Sequence, residues 1–96
     1  MLSLIRSAQF DEDLIAIWQF VARDSAESAT RLLERIDARI QVLPQFPFVG
    51  ESQPQHGRNA RRIIVGNYLV YYDVLDDAIH VLRVFHASRK IENLFR

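Results

Sequence analysis

The apolar residues of this chain change their period once. Phe10, Leu14, Ile17, Trp18 and Val21 recur every three or four positions, and Ala29, Leu32, Leu33, Ile36, Ile40 and Leu43 repeat that spacing, so each set lays one stripe along a helix. From Arg61 onward the spacing falls to two and the residues become β-branched and aromatic, in "RRIIV", "YLVYYDV" and "AIHVLRVFH". Residues 44–60 lie between, with all three prolines and two of the three glycines of the chain, and neither period survives there. Helices grouped on one side of such a break and strands on the other make an α+β architecture.

Element ends follow from short-range chemistry. Ser7 can cap a helix over about 8–23, with Asp11, Glu12 and Asp13 in or near its first turn, where the helix dipole favours negative charge. Asp24 and Glu27 form a capping-box-like pair opening a second helix over about 25–43. The break is so short that the helices must run antiparallel as an αα-hairpin, with Glu27 and Arg31 paired one turn apart on the solvated side. Leu2, Leu4 and Arg6 alternate with Ser3 and Ile5 as a short first strand. Gly66-Asn67 fits a two-residue hairpin turn with glycine first, and Asp76-Asp77 marks the next reversal. Ser88 can cap a short terminal helix striped by Ile91, Leu94 and Phe95. Phe46, Phe48 and Val49 are expected to fasten the first half of the long loop to the core. The expected fold is one domain over 1–96, an αα-hairpin on a mainly antiparallel four-stranded sheet, in the order β-α-α-β-β-β with a short C-terminal helix.

Composition narrows the function classes. The 96 residues are 49% apolar and 25% charged, the make-up of a soluble globular domain, and contain no cysteine, which excludes disulfides and thiolate metal sites. There is no secretory pattern at the start and no membrane-length apolar run, so a cytoplasmic location is expected. Twelve basic residues balance twelve acidic ones, whereas a general nucleic-acid binder carries a basic excess. Residues 1–57 are net −3 and residues 58–96 net +3, an asymmetry that suits a protein–protein surface or a small basic patch. His56, His80 and His86 have no metal-ligand spacing, and neither a nucleophile elbow nor a phosphate-cradling glycine loop occurs, so no metal or cofactor is expected.

In the strands, Tyr68, Val70, Tyr72 and Val74 alternate with Leu69 and Tyr71, while Ile79, Val81 and Phe85 alternate with Leu82 and Val84, so both sheet faces are largely apolar. The helical hairpin covers one; a terminal helix, or a partner, must cover the other. Arg83 inside an apolar strand is expected in a salt bridge or at a functional surface. Arg61 and Arg62 point to opposite faces, one of them able to meet a partner or a carboxylate such as Asp73. Trp18 falls in the first helical stripe, which favours core packing over a partner contact. His86 is a candidate acid or base, the role imidazole side chains generally serve, although a strand-end histidine bonding a backbone carbonyl is the more ordinary arrangement.

The run "RRIIVGNYLVYYDVLDDAIHVLRVFHASRK" resembles the ParE-type signature of the ParE/RelE superfamily of bacterial toxins: arginine before a short strand, glycine at the hairpin, Tyr-x-x-x-Tyr, an acidic turn, an apolar strand, histidine and a basic pair. "AQFDEDLIAIWQFVARDS" resembles the family's first helix, and "LPQFPFVGE" its Pro- and Gly-containing loop. The resemblance implies the toxin of a type II toxin–antitoxin pair. ParE-like members bind DNA gyrase through its GyrA subunit and stabilise the cleaved complex; RelE-like members cut messenger RNA on the ribosome through 2′-hydroxyl attack. Ribonuclease-branch members commonly have a tyrosine after the strand-end histidine and are strongly basic, whereas Ala87 and Ser88 follow here and the chain is neutral. The ParE reading is therefore the expectation, with Arg83, His86, Arg89 and Lys90 as target contacts. A ParD-like ribbon-helix-helix antitoxin would form a hetero-oligomer with it, on Leu14, Trp18, Val21, Arg61 and Tyr68. The alternatives are ribosome-dependent cleavage by His86 with Arg62 and Arg83, or a non-toxic binding partner of an antitoxin.

Overall fold

The computed structural model of the chain describes residues 2–89. Its elements are β1 (Ser3–Arg6), α1 (Ala8–Ala22), α2 (Ala26–Gln41), β2 (Glu51–Ser52), a single 3-10 turn (Pro54–His56), β3 (Ala60–Val65), β4 (Tyr68–Val74) and β5 (Ala78–His86). Both helices and the three long strands stand where the periodicity places them. The sheet has five strands rather than four, in the order β1-β5-β4-β3-β2, and is mixed because β1 runs parallel to β5. The two-residue β2 lies in the Pro- and Gly-rich stretch, too short for any period to register. The expected terminal helix over Ile91, Leu94 and Phe95 lies outside the described residues.

Local chemistry explains the ends. The side chain of Ser7 accepts the Phe10 N–H at 2.9 Å and so caps α1. The second cap is Ser25, which accepts the Ser28 N–H at 3.1 Å, and not Asp24; serine reaches its own first turn, while Asp24 is still turning out of α1 with its N–H on Val21 O. Glu27 and Arg31 do pair, at 3.8 Å in solvent, where such a contact contributes little. Gly66 has φ +60°, the left-handed value that the first central position of the Val65–Tyr68 hairpin demands.

The main core lies between the helical hairpin and one sheet face, with Phe10, Leu14, Ile36, Ile40 and Leu43 against Val70, Tyr72, Ile79, Val81 and Val84. A second cluster, Leu69, Tyr71 and Phe85, occupies the opposite face. Simple alternation assigns Phe85 to the face of Ile79 and Val81, and the structure corrects this. Tyr71 pairs with Arg83 but Tyr72 with Val81, so Leu82 is an extra residue, a β-bulge that reverses the facing of everything after it. Two expectations about apolar side chains also fail. Trp18 is 36% exposed, its indole N–H donating to Thr30 Oγ1 at 3.2 Å, and is not core. Phe46, Phe48 and Val49 face solvent at 56–66% exposure instead of anchoring their loop.

Candidate functional site

The bulge and the shortness of β1 create the chemistry at the end of β5. β1 pairs with β5 only as far as Val81, so the backbone beyond it has an open edge whose polar groups need partners. The start of α1 supplies them. Ser7 donates its hydroxyl to Leu82 O at 2.6 Å, and the Asp13 carboxylate accepts the Val84 N–H at 3.0 Å. The same carboxylate takes a bidentate pair from Arg83, Nε at 2.8 Å and Nη2 at 2.9 Å. The guanidinium also lies 4.6 Å from the Phe85 ring centroid. Its pKa is raised above the ordinary arginine value, chiefly by the hydrogen bond to Asp13. Arg83 is thus a structural clasp between sheet and helix, the salt-bridge outcome, and its fork geometry is fully used.

Beyond the clasp, α1 and the ends of β4 and β5 enclose a cleft of about 410 Å³. Ala16, Ile17 and Phe20 form its helical wall; Tyr68, Val84 and His86 form the other, with Ser88 and Arg89 at the lip. His86 stands opposite Tyr68 in the register, their rings edge to face with centroids 5.3 Å apart. Burial raises the Tyr68 pKa, so the phenol is protonated at neutral pH. His86 is exposed, and its Nδ1 accepts the Ser88 N–H at 3.2 Å with Ser88 Oγ 2.8 Å away. This reverses the expected arrangement, in which the ring donates to a carbonyl.

The remaining sequence-derived candidates are distributed rather than gathered. Arg62, Tyr71 and Arg83 are cross-strand partners on the face away from the helices, whereas His86 shares the helix-side face with Tyr68. Arg62 pairs with Glu51 at 3.3 Å, not with Asp73. Arg61 lies at the far end of the sheet, donating to Gly50 O at 2.7 Å and Phe48 O at 3.3 Å. Leu14 is core and Val21 half-buried, so of the three α1 anchors Trp18 presents most surface. Ile15 and Phe20, at 59% and 66% exposure, present more; they fall outside the core stripe, and an off-stripe apolar residue was the available signal. Asp13 was legible only as a first-turn acid. Lys90 lies outside the described residues. No cluster of metal-ligating side chains occurs among the described residues.

The fold has relatives among known proteins. Toxin RelE2 of Caulobacter vibrioides is 29% identical over 77 residues, covering 80% of this chain and 85% of that protein. The fold is shared with the chromosomal ParDE system from P. aeruginosa, at 22% identity and TM-score 0.76 over 90% of this chain and 96% of that one. It is also shared with the RelB–RelE antitoxin–toxin complex from Methanococcus jannaschii, at 22% identity and TM-score 0.63 over 96% of this chain and 99% of that one. The family model described as the ParE toxin of the type II toxin–antitoxin system parDE matches residues 4–91, from the first strand through the basic end of the last, and the chain belongs to that family.

Proposed function

We propose that this toxin acts by binding, holding DNA gyrase in its cleaved complex through the GyrA subunit, and that it performs no chemistry on RNA. The observation that carries this reading is the dispersal of the groups cleavage would need. In-line attack by a 2′-hydroxyl requires a base, a proton donor and cations converging on one phosphate. Here Arg83 is clasped by Asp13 and Arg62, on the same face across Tyr71, is paired with Glu51, so both cations are spent, while His86 stands on the helix-side face apart from them. The balanced charge of the chain also gives little grip on ribosomal RNA. The target contact then falls to His86 at the exposed end of β5 and Arg89 just beyond it, with Lys90 next in sequence, while Arg83 supports it.

A ParD-like antitoxin is the partner this reading requires, and the solved relatives, a ParDE system and a RelB–RelE complex, support it. Its amphipathic segment lies along α1, taking Ile15 and Trp18 as anchors. One observation favours the ribonuclease reading: Tyr68, from the neighbouring strand, sits beside His86 where no later tyrosine does. Purified toxin in a gyrase cleavage assay and in a translating-ribosome assay separates the two. Trapped cleaved DNA with intact message supports gyrase binding; cut message that is spared on His86→Gln or Tyr68→Phe replaces it with cleavage. Silence in both leaves a binding partner without toxicity.

A further inference from the structure

Residues 42–50 form a loop that displays apolar side chains and is held too firmly to withdraw them. Tyr72 is fully buried, yet its hydroxyl donates to Pro47 O at 2.9 Å and accepts the Gly50 N–H at 3.0 Å. Arg61 closes the loop from the other side through Gly50 O and Phe48 O, with its guanidinium 5.0 Å from the Phe48 ring centroid. Gly50 is required, because an added Cβ would lie 2.5 Å from Tyr72 Oη and 2.8 Å from Arg62 O. On this frame Val42, Phe46, Phe48 and Val49 stay 45–66% exposed. Beside Phe48 opens a cleft of about 510 Å³, floored by Val74 and Leu75 and rimmed by Arg58, Arg61 and Asp76.

Charge states what can cover this surface. Residues 38–62 hold four arginines and one glutamate, net +3, whereas residues 11–37 hold three arginines and seven acids, net −4. Glu51 is taken by Arg62, and at the cleft itself Arg58 and Arg61 outnumber Asp76, so the local field is positive. A two-fold dimer would bring that positive patch against its own copy, since an isologous contact pairs a surface with itself. A nucleic acid suits the charge but not the aromatics: Arg61 covers one Phe48 face, and valines offer no stacking surface. The loop also lies at the opposite end of the strands from His86.

We infer that the clamped loop is a second docking surface for the toxin's target protein, gripping a patch on it that is apolar at its centre and acidic at its rim. This rests on the gyrase reading. A preformed loop loses little freedom on binding, which is what makes exposed aromatics effective anchors.

The test uses full-length toxin with gyrase holoenzyme and DNA, reading the toxin concentration that gives half-maximal cleaved complex. Phe46→Ser/Phe48→Ser should raise it about 30-fold or more, with the melting temperature unchanged. Arg58→Glu, an exposed change that leaves the clamp intact, should raise it about fivefold and flatten its dependence on salt. Variants as potent as wild type overturn the loop proposal and leave gyrase as the target. A wild type inert toward gyrase overturns both. Loop-dependent binding to a labelled oligonucleotide, or self-association that the double variant abolishes, assigns the surface to another occupant and also overturns it.

Discussion

The buried Tyr72 hydroxyl and the half-buried Asp13 carboxylate connect elements that have no covalent reason to stay together. Asp13 satisfies three donors at once, two from Arg83 and the Val84 N–H. Asp13→Ala should cost about 2–3 kcal/mol, since it strands a half-buried guanidinium and an edge amide, and chemical denaturation measures it. Arg83→Lys should recover only part, because an ammonium cannot make the forked pair. Tyr72→Phe removes the loop clamp and leaves the Gly50 N–H unsatisfied, for a loss of about 1–3 kcal/mol. Tyr72 also makes a pH prediction. Burial raises its pKa in the folded chain, more than the Gly50 hydrogen bond and Arg61 lower it. The unfolded phenol ionises near its ordinary value of about 10 while the folded one keeps its proton. The stabilisation is therefore complete below that value and is lost as pH rises through the higher folded one. Tyr68 shifts in the same direction. Melting curves between neutral pH and strong alkali should fall less steeply for Tyr72→Phe than for wild type.

The boundaries and facings of the helices and strands test local chemistry against tertiary context. Ser25, not Asp24, caps α2, so Ser25→Ala should lower stability by about 1 kcal/mol and Asp24→Ala leave it nearly unchanged. Thermal melts of the pair decide this. The bulge at Leu82 is the costlier feature. Deleting Leu82 would restore regular alternation and turn Val84, Phe85 and His86 to the wrong faces. Val84 and Phe85 are each 2% exposed, and exposing such side chains costs about 1.5–3 kcal/mol apiece. The expected result is an unfolded or aggregated protein by circular dichroism, whereas Leu82→Ala, which keeps the count, should fold. Periodicity reads the two helices, the three long strands and both hairpin turns correctly because each is specified within a few residues. It misses β2, the bulge and the open edge of β5, because each is set by which strand residue pairs with which, a register that no single segment carries.

Taken whole, the molecule is polar in charge, acidic on its helices and basic about the loop and the start of β3. Trp18, the one tryptophan, is exposed on α1, so antitoxin binding along that helix should shift its emission to the blue and raise the melting temperature. Antitoxin at about 100 times its dissociation constant would add about 2.7 kcal/mol, and Ile15→Asp should abolish both effects without changing the free toxin. Membership of the toxin superfamily was readable because the helical hairpin, the glycine turn and the last strand each carry their own local signature. The site was less so: Arg83 and His86 stood out by residue type, and only the family resemblance, in its ribonuclease alternative, grouped them with Arg62. The sequence alone determined which segments are helix or strand, because apolar period and capping act over neighbouring residues. Only the tertiary structure decided which cation is spent on Asp13, which face His86 shares and which phenylalanines stay in solvent, because a single extra residue in β5 and one buried tyrosine act across the whole sheet.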